Sequence, residues 1–148
     1  MLINIWESML RKDGPTPKDL LASLEAVLKT EKNPLIVDFL LDEIETLRWR
    51  FVSDVTFADL EETLWKFVNG TSDKGMQMSY FRALQKNALS QEMLLRLRNI
   101  WEDKQTVKGL TLSEEEKINL AQELALKLDG KTGMNILSKQ IGLIKNPD

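Results

Sequence analysis

The sequence predicts an all-α protein of about eight helices, and three observations support this prediction. Prolines and glycines divide the chain into segments of helical length. Within these segments apolar residues recur at steps of three and four, a spacing that places them on one side of a helix. No segment alternates apolar and polar residues with the period of two that is typical of a half-buried strand.

The first three helices are predicted near the N-terminus, and the second and third have start signals. An apolar stretch before Gly14 predicts the first. The second begins at Thr16-Pro17-Lys18-Asp19, where a hydroxyl cap precedes a proline and an acid in the first turn. The third begins at Asn33-Pro34. The two apolar stripes are predicted to be Leu20, Leu21, Leu24, Val27 and Leu28, then Ile36, Leu40, Ile44, Leu47 and Phe51.

The next three helices are predicted between Thr56 and Trp101. The fourth starts near Thr56 and ends at Asn69-Gly70, since glycine commonly terminates a helix. The fifth covers about Met76 to Asn87, and the sixth is capped by Ser90. The stripes of the fourth and sixth are predicted to be Phe57, Leu60, Leu64 and Phe67, then Met93, Leu94, Leu97, Ile100 and Trp101.

The last two helices are predicted from a capping motif and two apolar patterns. In Ser113-Glu114-Glu115-Glu116 the serine and the third glutamate can each bond the other's backbone N–H, which forms a capping box. This seventh helix carries Leu120, Ala121, Leu124, Ala125 and Leu128. The eighth helix carries Met134, Leu137, Ile141 and Ile144.

Start signals recur at intervals of roughly 35 to 42 residues, near the unit length of helical-hairpin repeats. We therefore expect one domain over residues 1–148, a stack of antiparallel helix pairs similar to HEAT and armadillo α-solenoids. The sequence NIWE occurs at Asn4–Glu7 and again at Asn99–Glu102, and each tryptophan is predicted to fill a seam between helices. The predicted core includes Trp6, Leu40, Ile44, Leu47, Leu64, Trp101 and Leu124.

Composition excludes several classes of function. The chain has no cysteine and no histidine, which excludes disulfides, thiol nucleophiles, Ser-His catalysis and zinc sites built from those side chains. The net charge is −3 without a basic stripe, so we expect neither nucleic acid nor membrane as a partner. The apolar runs are shorter than the ~20 residues that span a bilayer. Cytoplasm and periplasm fit equally well.

Other short motifs have simpler structural interpretations. Asp129–Gly133 contains the GKT that ends a P-loop, but Ala125 stands where that motif needs a glycine, so we expect a helix end followed by a turn. Glu114–Glu116 are expected in the first turn of a helix, where negative charges interact favourably with the positive end of the helix dipole. We expect the other acidic groups, Asp42, Glu43, Glu45, Glu61 and Glu62, to lie on solvated faces. No catalytic, cofactor-binding or metal-binding residue is predicted.

Two arginine-aromatic segments are the candidate binding residues. Arg48 and Arg50 flank Trp49, and Tyr80 and Arg82 flank Phe81. One interpretation is a groove for an anionic group or a peptide terminus. The other, which we prefer, is that the arginine side chains lie over core aromatics with their charges in water.

Six segments, in their order and spacing, resemble a known family. They are Ile5–Leu10, Glu45–Phe51, Tyr80–Leu84 leading to Ala88, Leu97–Trp101, Gly109–Ser113 and Ile144–Asp148. Together they resemble the C-terminal helical domain of the aminopeptidase N-like zinc metallopeptidases. From the first segment to the last the resemblance covers most of the chain, and each segment is a packing motif.

The resemblance implies a parent enzyme that removes N-terminal residues from peptides. Its catalytic domain would hold zinc through H-E-x-x-H and a further Glu, and would bind the substrate amino terminus through a G-x-M-E-N loop. None of these motifs occurs here, so this chain alone is expected to hold no cofactor and to catalyse nothing. Its partners would be the catalytic domain of the same polypeptide and the peptide substrate, and the arginine-aromatic residues would contact one of them.

Two alternatives remain open. A freestanding helical-repeat adaptor would bind a protein on its concave face. A small enzyme that uses only carboxylates is the other alternative, although no carboxylate pair can be placed in a shared cleft.

The C-terminal sequence predicts an incomplete piece of a larger domain. Asn146-Pro147-Asp148 repeats the start signal of Asn33-Pro34. The last helix carries Met134, Ile136, Leu137, Ile141, Leu143 and Ile144, which cannot all face inward. We therefore expect an exposed apolar patch on that helix and self-association through it.

Overall fold

A computed structural model describes residues 16–51 and 58–144 of this chain, and these residues form seven α-helices without a strand. The all-α prediction is confirmed. The first predicted helix, with Trp6, lies outside the described residues. The helices are α1 (Pro17–Thr30), α2 (Pro34–Phe51), α3 (Ala58–Gly70), α4 (Lys74–Asn87), α5 (Gln91–Trp101), α6 (Glu114–Lys127) and α7 (Gly130–Leu143).

The described residues divide into two compact units. One unit holds α1 and α2, and the other holds α3 to α7. The single domain expected over residues 1–148 stays a prediction.

The first unit is a hairpin, because a connection of only three residues joins α1 to α2 and the two helices pack together. The capping box at Thr16 is present, with the Asp19 N–H donating to the Thr16 Oγ1 and the Thr16 N–H donating to the Asp19 carboxylate, both at 3.2 Å. Hydrogen bonds with Thr16 lower the pKa of Asp19. In the predicted stripe of α1 the four leucines are buried. The prediction is wrong for Val27, whose side chain is exposed.

The buried side of α2 differs in part from the predicted one. Leu40, Ile44 and Leu47 are buried as expected, but Ile36 is exposed and Val37 is buried in its place. Residues 35–37 and 39–41 are all apolar, so this part of the helix offers more than one apolar side. Packing against neighbours decides which side is buried, and the periodicity of apolar residues alone cannot predict it.

The second unit contains two hairpins and a helix between them in the chain. A three-residue connection joins α3 to α4, and a two-residue connection joins α6 to α7. The helices of each hairpin pack along each other, α4 also contacts α6, and α5 packs against α6. This arrangement agrees with the predicted stack of helix pairs. Residues 102–113 form the one long connection between described helices of this unit.

The six predicted core residues that the structure describes are all buried. Each is at most 6% exposed, and Leu64 and Leu124 belong to the fully buried set of the second unit. The Ser90 cap and the complete stripe of α5 are also as predicted, with the Met93 N–H donating to the Ser90 Oγ at 3.2 Å. The start of α4 differs slightly, because Asp73 caps this helix and it begins at Lys74.

The predicted stripe of the last helix is wrong in orientation. Met134 is 63% exposed and Ile141 is 70% exposed, while the buried line of α7 is Gly133, Ile136 and Gln140. This buried line has one large apolar residue, a glycine and an amide, so hydrophobic periodicity does not reveal it. The exposed apolar patch expected on this helix is confirmed in the described residues.

Gly133 explains why that line faces α6. A Cβ added at Gly133 would lie 2.7 Å from the carbonyl oxygen of Ala125 and 3.1 Å from its Cα. The backbones of α6 and α7 therefore meet closely at this point, and any larger residue would push them apart.

We predict that Leu124→Ala lowers the free energy of unfolding by about 2–5 kcal/mol, because it leaves a cavity in the core. Leu126→Ala is the matched control, since Leu124 is 1% exposed and Leu126 is 81% exposed in the same helix. The control should change the free energy by less than about 0.5 kcal/mol. Urea denaturation measures both, and equal effects would contradict the assigned face of α6.

We also predict that Gly133→Ala destabilises the protein by about 1–3 kcal/mol, through overpacking against the backbone at Ala125. Gly142→Ala in the same helix has nothing within 4 Å of the new Cβ. Because alanine is a better helix former than glycine, this control should stabilise the helix by up to about 1 kcal/mol. Thermal unfolding compares the two variants, and a stabilising Gly133→Ala would contradict the close approach.

Candidate functional site

The four candidate binding residues lie in different units. Arg48 and Arg50 belong to α2, and Tyr80 and Arg82 belong to α4. Their role as contacts to a peptide or another domain stays a prediction.

Arg48 and Arg50 have different environments. Arg48 is buried, and its guanidinium carbon lies 5.3 Å from the ring centroid of Trp49, whereas Arg50 is exposed. The preferred interpretation placed an arginine over a buried aromatic. Here the arginine is the buried partner and Trp49 is the exposed one, which is the reverse of that arrangement.

Tyr80 and Arg82 do not form a shared groove. Because they are two residues apart, they project from nearly opposite sides of α4. Tyr80 is buried with its ring centroid 5.1 Å from that of Phe67 in α3. Burial raises the pKa of its phenol, and the negative charge of Asp73 raises it further. The opposite side of α4 carries Arg82 toward α6.

Arg82 pairs with Glu116, the residue that was expected to complete the capping box of α6. The Ser113 half of that box is present, with the Glu116 N–H donating to the Ser113 Oγ at 3.2 Å. The Glu116 carboxylate instead accepts from the Arg82 Nε at 3.0 Å and from its Nη2. The predicted reciprocal bond is therefore wrong, because a charged partner from α4 takes the carboxylate.

Lys127 makes a second polar contact between the same two helices. Its ammonium donates to the backbone carbonyls of Gln85 and of Lys86, the latter at 3.0 Å. These carbonyls belong to the last turn of α4, where a helix leaves acceptors unpaired and its dipole favours a cation. The Glu123 carboxylate lies 3.3 Å from the same ammonium. We call Arg82, Glu116, Lys127 and Glu123 the α4–α6 polar contact.

Glu61 also departs from the expected solvated face. It is buried, and its carboxylate accepts from the N–H groups of Leu89 and Ser90, the latter at 3.1 Å, and from the Ser90 hydroxyl. Glu61 thereby holds the turn between α4 and α5 from the neighbouring helix α3. Glu62 is exposed, as predicted.

The connection 102–113 begins with a helix-terminating motif that the sequence analysis missed. The Asp103 N–H donates to the Ile100 carbonyl at 3.1 Å and the Lys104 N–H to the Asn99 carbonyl at 2.8 Å. This is a Schellman pattern, and Asp103 occupies its left-handed position with φ of 59°. The residue type of Asp103 is the signal for this helix end in the sequence, because aspartate adopts the left-handed conformation more readily than most residues other than glycine.

The far end of the connection is held by Gln77. Its buried amide donates to the carbonyl of Val68 at 2.8 Å and to that of Lys108 at 2.9 Å. Gly109 has φ of +83°, and a Cβ there would lie 3.2 Å from the Gln77 Oε1. Glycine is therefore required by both the backbone conformation and the close approach.

Two neighbouring cavities share Asp103 and Lys117 in their walls. The Lys117 ammonium lies 2.8 and 3.0 Å from the two Asp103 carboxylate oxygens. The cavity volumes are about 220 and 290 Å³. Both are below the range of about 300–1,000 Å³ that is usual for ligand pockets, which favours a structural role for this ion pair.

The P-loop-like segment forms part of a helix start. Asp129 caps α7 by accepting from the Thr132 N–H at 3.1 Å, and Gly130 is the first residue of the helix. Within residues 16–51 and 58–144, no three His, Cys, Asp or Glu side chains are grouped to hold a metal ion. None of the described helices is long and apolar enough to cross a membrane.

Comparison with known proteins gives no relative for this chain: no protein-family model, no curated protein and no solved structure matches it.

We predict that the phenol of Tyr80, the single tyrosine of the chain, ionises above its ordinary pKa of 10.0. The unfolded chain then loses this proton before the folded chain does, so the free energy of unfolding falls as the pH rises through about 10. Phenolate absorbance follows the titration, and denaturation at several pH values follows the stability.

Tyr80→Phe is the control, because it removes this titration and leaves the ring. The difference between the two proteins isolates the phenol from the lysines that titrate in the same range. Ionisation of Tyr80 at or below its ordinary pKa would contradict its burial.

Proposed function

We propose that this chain is a non-catalytic helical domain of an aminopeptidase N-like zinc metallopeptidase. In this proposal the parent removes N-terminal residues from peptides, and the domain closes over the peptide cavity and shapes it. The observation that carries the proposal is the collinear order of the six packing motifs in the sequence.

The packing of these motifs supports a structural role. In the segment Tyr80–Leu84 and its extension to Ala88, the residues Phe81, Leu84 and Ala88 are fully buried. Trp101, at the end of another motif, is buried and donates through its indole Nε1 to the Gln140 Oε1 at 2.7 Å. Residues of this kind maintain a scaffold. The surface that would face a peptide is then presented by the scaffold, and the chemistry belongs to the catalytic domain of the same polypeptide.

Zinc is a cofactor of the parent in this proposal. Protein zinc sites usually combine Cys, His and carboxylate ligands, and this chain contains only the carboxylates. Its contribution to catalysis would therefore be indirect, through the shape and polarity of the cavity wall. Arg82 is the candidate residue for such a wall in the second unit, since its side chain is 58% exposed beside the buried Glu116.

A helical-repeat adaptor is the second candidate function, and the exposed apolar side chains favour it. Leu35 and Phe39 of α2 are exposed, as are Met134 and Ile141 of α7. Helical repeats bind partners through such surfaces. In a larger enzyme, neighbouring segments of the same polypeptide would cover these side chains. The coding sequence that surrounds this chain therefore distinguishes the two functions.

We predict that the isolated chain retains no stoichiometric zinc after dialysis and does not hydrolyse an aminoacyl anilide. Metal analysis measures the bound zinc, and a chromogenic assay measures the hydrolysis. The coding sequence upstream of Met1 should encode H-E-x-x-H in the same reading frame. The longer polypeptide, assayed in parallel, is the positive control. Hydrolysis by the isolated chain with one bound zinc would contradict the proposal. A reading frame without H-E-x-x-H would favour the adaptor.

A further inference from the structure

We propose that the two cavities beside the Asp103–Lys117 ion pair together form a binding site for a free α-amino acid with an apolar side chain. Every residue that lines these cavities belongs to the second unit. Three features of the walls support this site: a buried amide with an unpaired donor, side chains of both charges, and the ion pair that lies between the cavities. The assignment does not depend on the proposed enzymatic parent.

The buried amide belongs to Gln140, which is 5% exposed and lines the larger cavity of about 290 Å³. Its Oε1 accepts from the Trp101 indole Nε1 at 2.7 Å. Because an indole nitrogen can only donate, this bond determines which way the amide is turned. The Gln140 Nε2 has no hydrogen-bond partner among the described residues, and it is accessible to solvent. A buried donor without an acceptor is costly, so this nitrogen favours an acceptor atom in the cavity.

The same cavity has charges of both signs in its wall. Asp103 and Glu114 contribute carboxylates, and Lys117 contributes an ammonium group. A ligand that is only an anion would be repelled by both carboxylates, and a ligand that is only a cation would be repelled by the ammonium group. A zwitterion fits both signs. Its carboxylate can accept from Lys117 and the Gln140 amide, and its ammonium group can donate to Asp103.

The second cavity, of about 220 Å³, provides apolar surface for a side chain of the ligand. At about 30 Å³ per water molecule, this volume corresponds to roughly seven non-hydrogen atoms, which is enough for the side chain of valine or leucine. The hydroxyl side chains of Thr106 and Thr111 also line it and limit the apolar part to a side chain of moderate size. The apolar part of the wall consists of Ile100, Val107, Leu110 and Leu112.

The Asp103–Lys117 ion pair lies in the walls of both cavities. Its side chains are 75% and 29% exposed, and an ion pair in such a position contributes little to stability. Exchange of this contact for the opposite charges of an amino acid therefore costs little. As a closed pair it has the structural role described above, and each cavity is smaller than a usual ligand pocket. Once the two side chains bind the ligand instead, the joined space is within the usual range of volume.

L-Leucine is the probe, and the resonance of the Trp101 indole proton is the readout, because Trp101 holds the Gln140 amide. We expect a saturable shift of this resonance with a dissociation constant of about 1 mM or lower. 4-Methylpentanoate lacks the ammonium group, and L-leucinamide lacks the carboxylate. Each should bind at least about tenfold more weakly than L-leucine, since each leaves one charge of the site without a partner.

Two variants test the charged residues, and circular dichroism checks that each is folded. Lys117→Met keeps the length of the side chain and should weaken L-leucine binding at least about tenfold. Asp103→Asn keeps a residue type that adopts the left-handed conformation. It should weaken L-leucine binding and strengthen the binding of 4-methylpentanoate, because it removes a repelling charge. Lys131→Met is the matched control at an exposed lysine of α7 outside both cavities, and it should bind L-leucine like the wild type.

Four results would overturn the inference. The absence of a saturable shift with L-leucine up to about 10 mM would exclude the site. Equal binding of 4-methylpentanoate would indicate a site for anions, and equal binding of L-leucinamide would indicate a site for amines. These three results need only the unmodified chain, so they are decisive even where a variant does not fold. Unchanged L-leucine binding by folded Lys117→Met or Asp103→Asn would show that the ion pair takes no part.

Discussion

The second unit depends on the contact between α4 and α6, because that contact joins its two hairpins. Within each hairpin, leucines and other apolar side chains pack with little directional preference. The α4–α6 polar contact is different, since Arg82 must reach Glu116 and Lys127 must reach the last carbonyls of α4. Hydrogen bonds to charged groups are directional, so they fix how far α6 is displaced along α4. The apolar core supplies the stability and these bonds supply the register.

This specificity has a cost. The second carboxylate oxygen of Glu116 and the amide nitrogen of Gln85 are buried without a hydrogen-bond partner among the described residues. An unsatisfied buried polar atom costs about 1–3 kcal/mol. The polar contact is thus only partly compensated, and a hydrophobic substitute of similar volume could be as stable while losing the defined register.

The helix starts were predictable because their signals are local. The hydroxyl caps of α1, α5 and α6 each bond a backbone N–H three residues later, so a short segment contains both partners. The buried faces were predictable only for helices with one apolar side. In α2 several sides are apolar. In α7 the buried line includes Gly133 and Gln140, and neither residue is recognised as buried by a hydrophobic pattern. The polar contacts were not predictable, because Glu61 and Ser90 are 29 residues apart and Trp101 and Gln140 are 39 apart.

The close approach at Gly133 has a consequence for the dynamics of the chain. The buried line of α7 contains a single large apolar residue, Ile136, between Gly133 and Gln140, and α7 packs chiefly on α6. Local opening requires less free energy where fewer apolar contacts must be broken. Detachment of α7 is therefore the lowest-energy opening that we expect in the second unit. It would release the hydrogen bond of the Trp101 indole to Gln140, so the amide protons of α7 and the indole proton should exchange with solvent together.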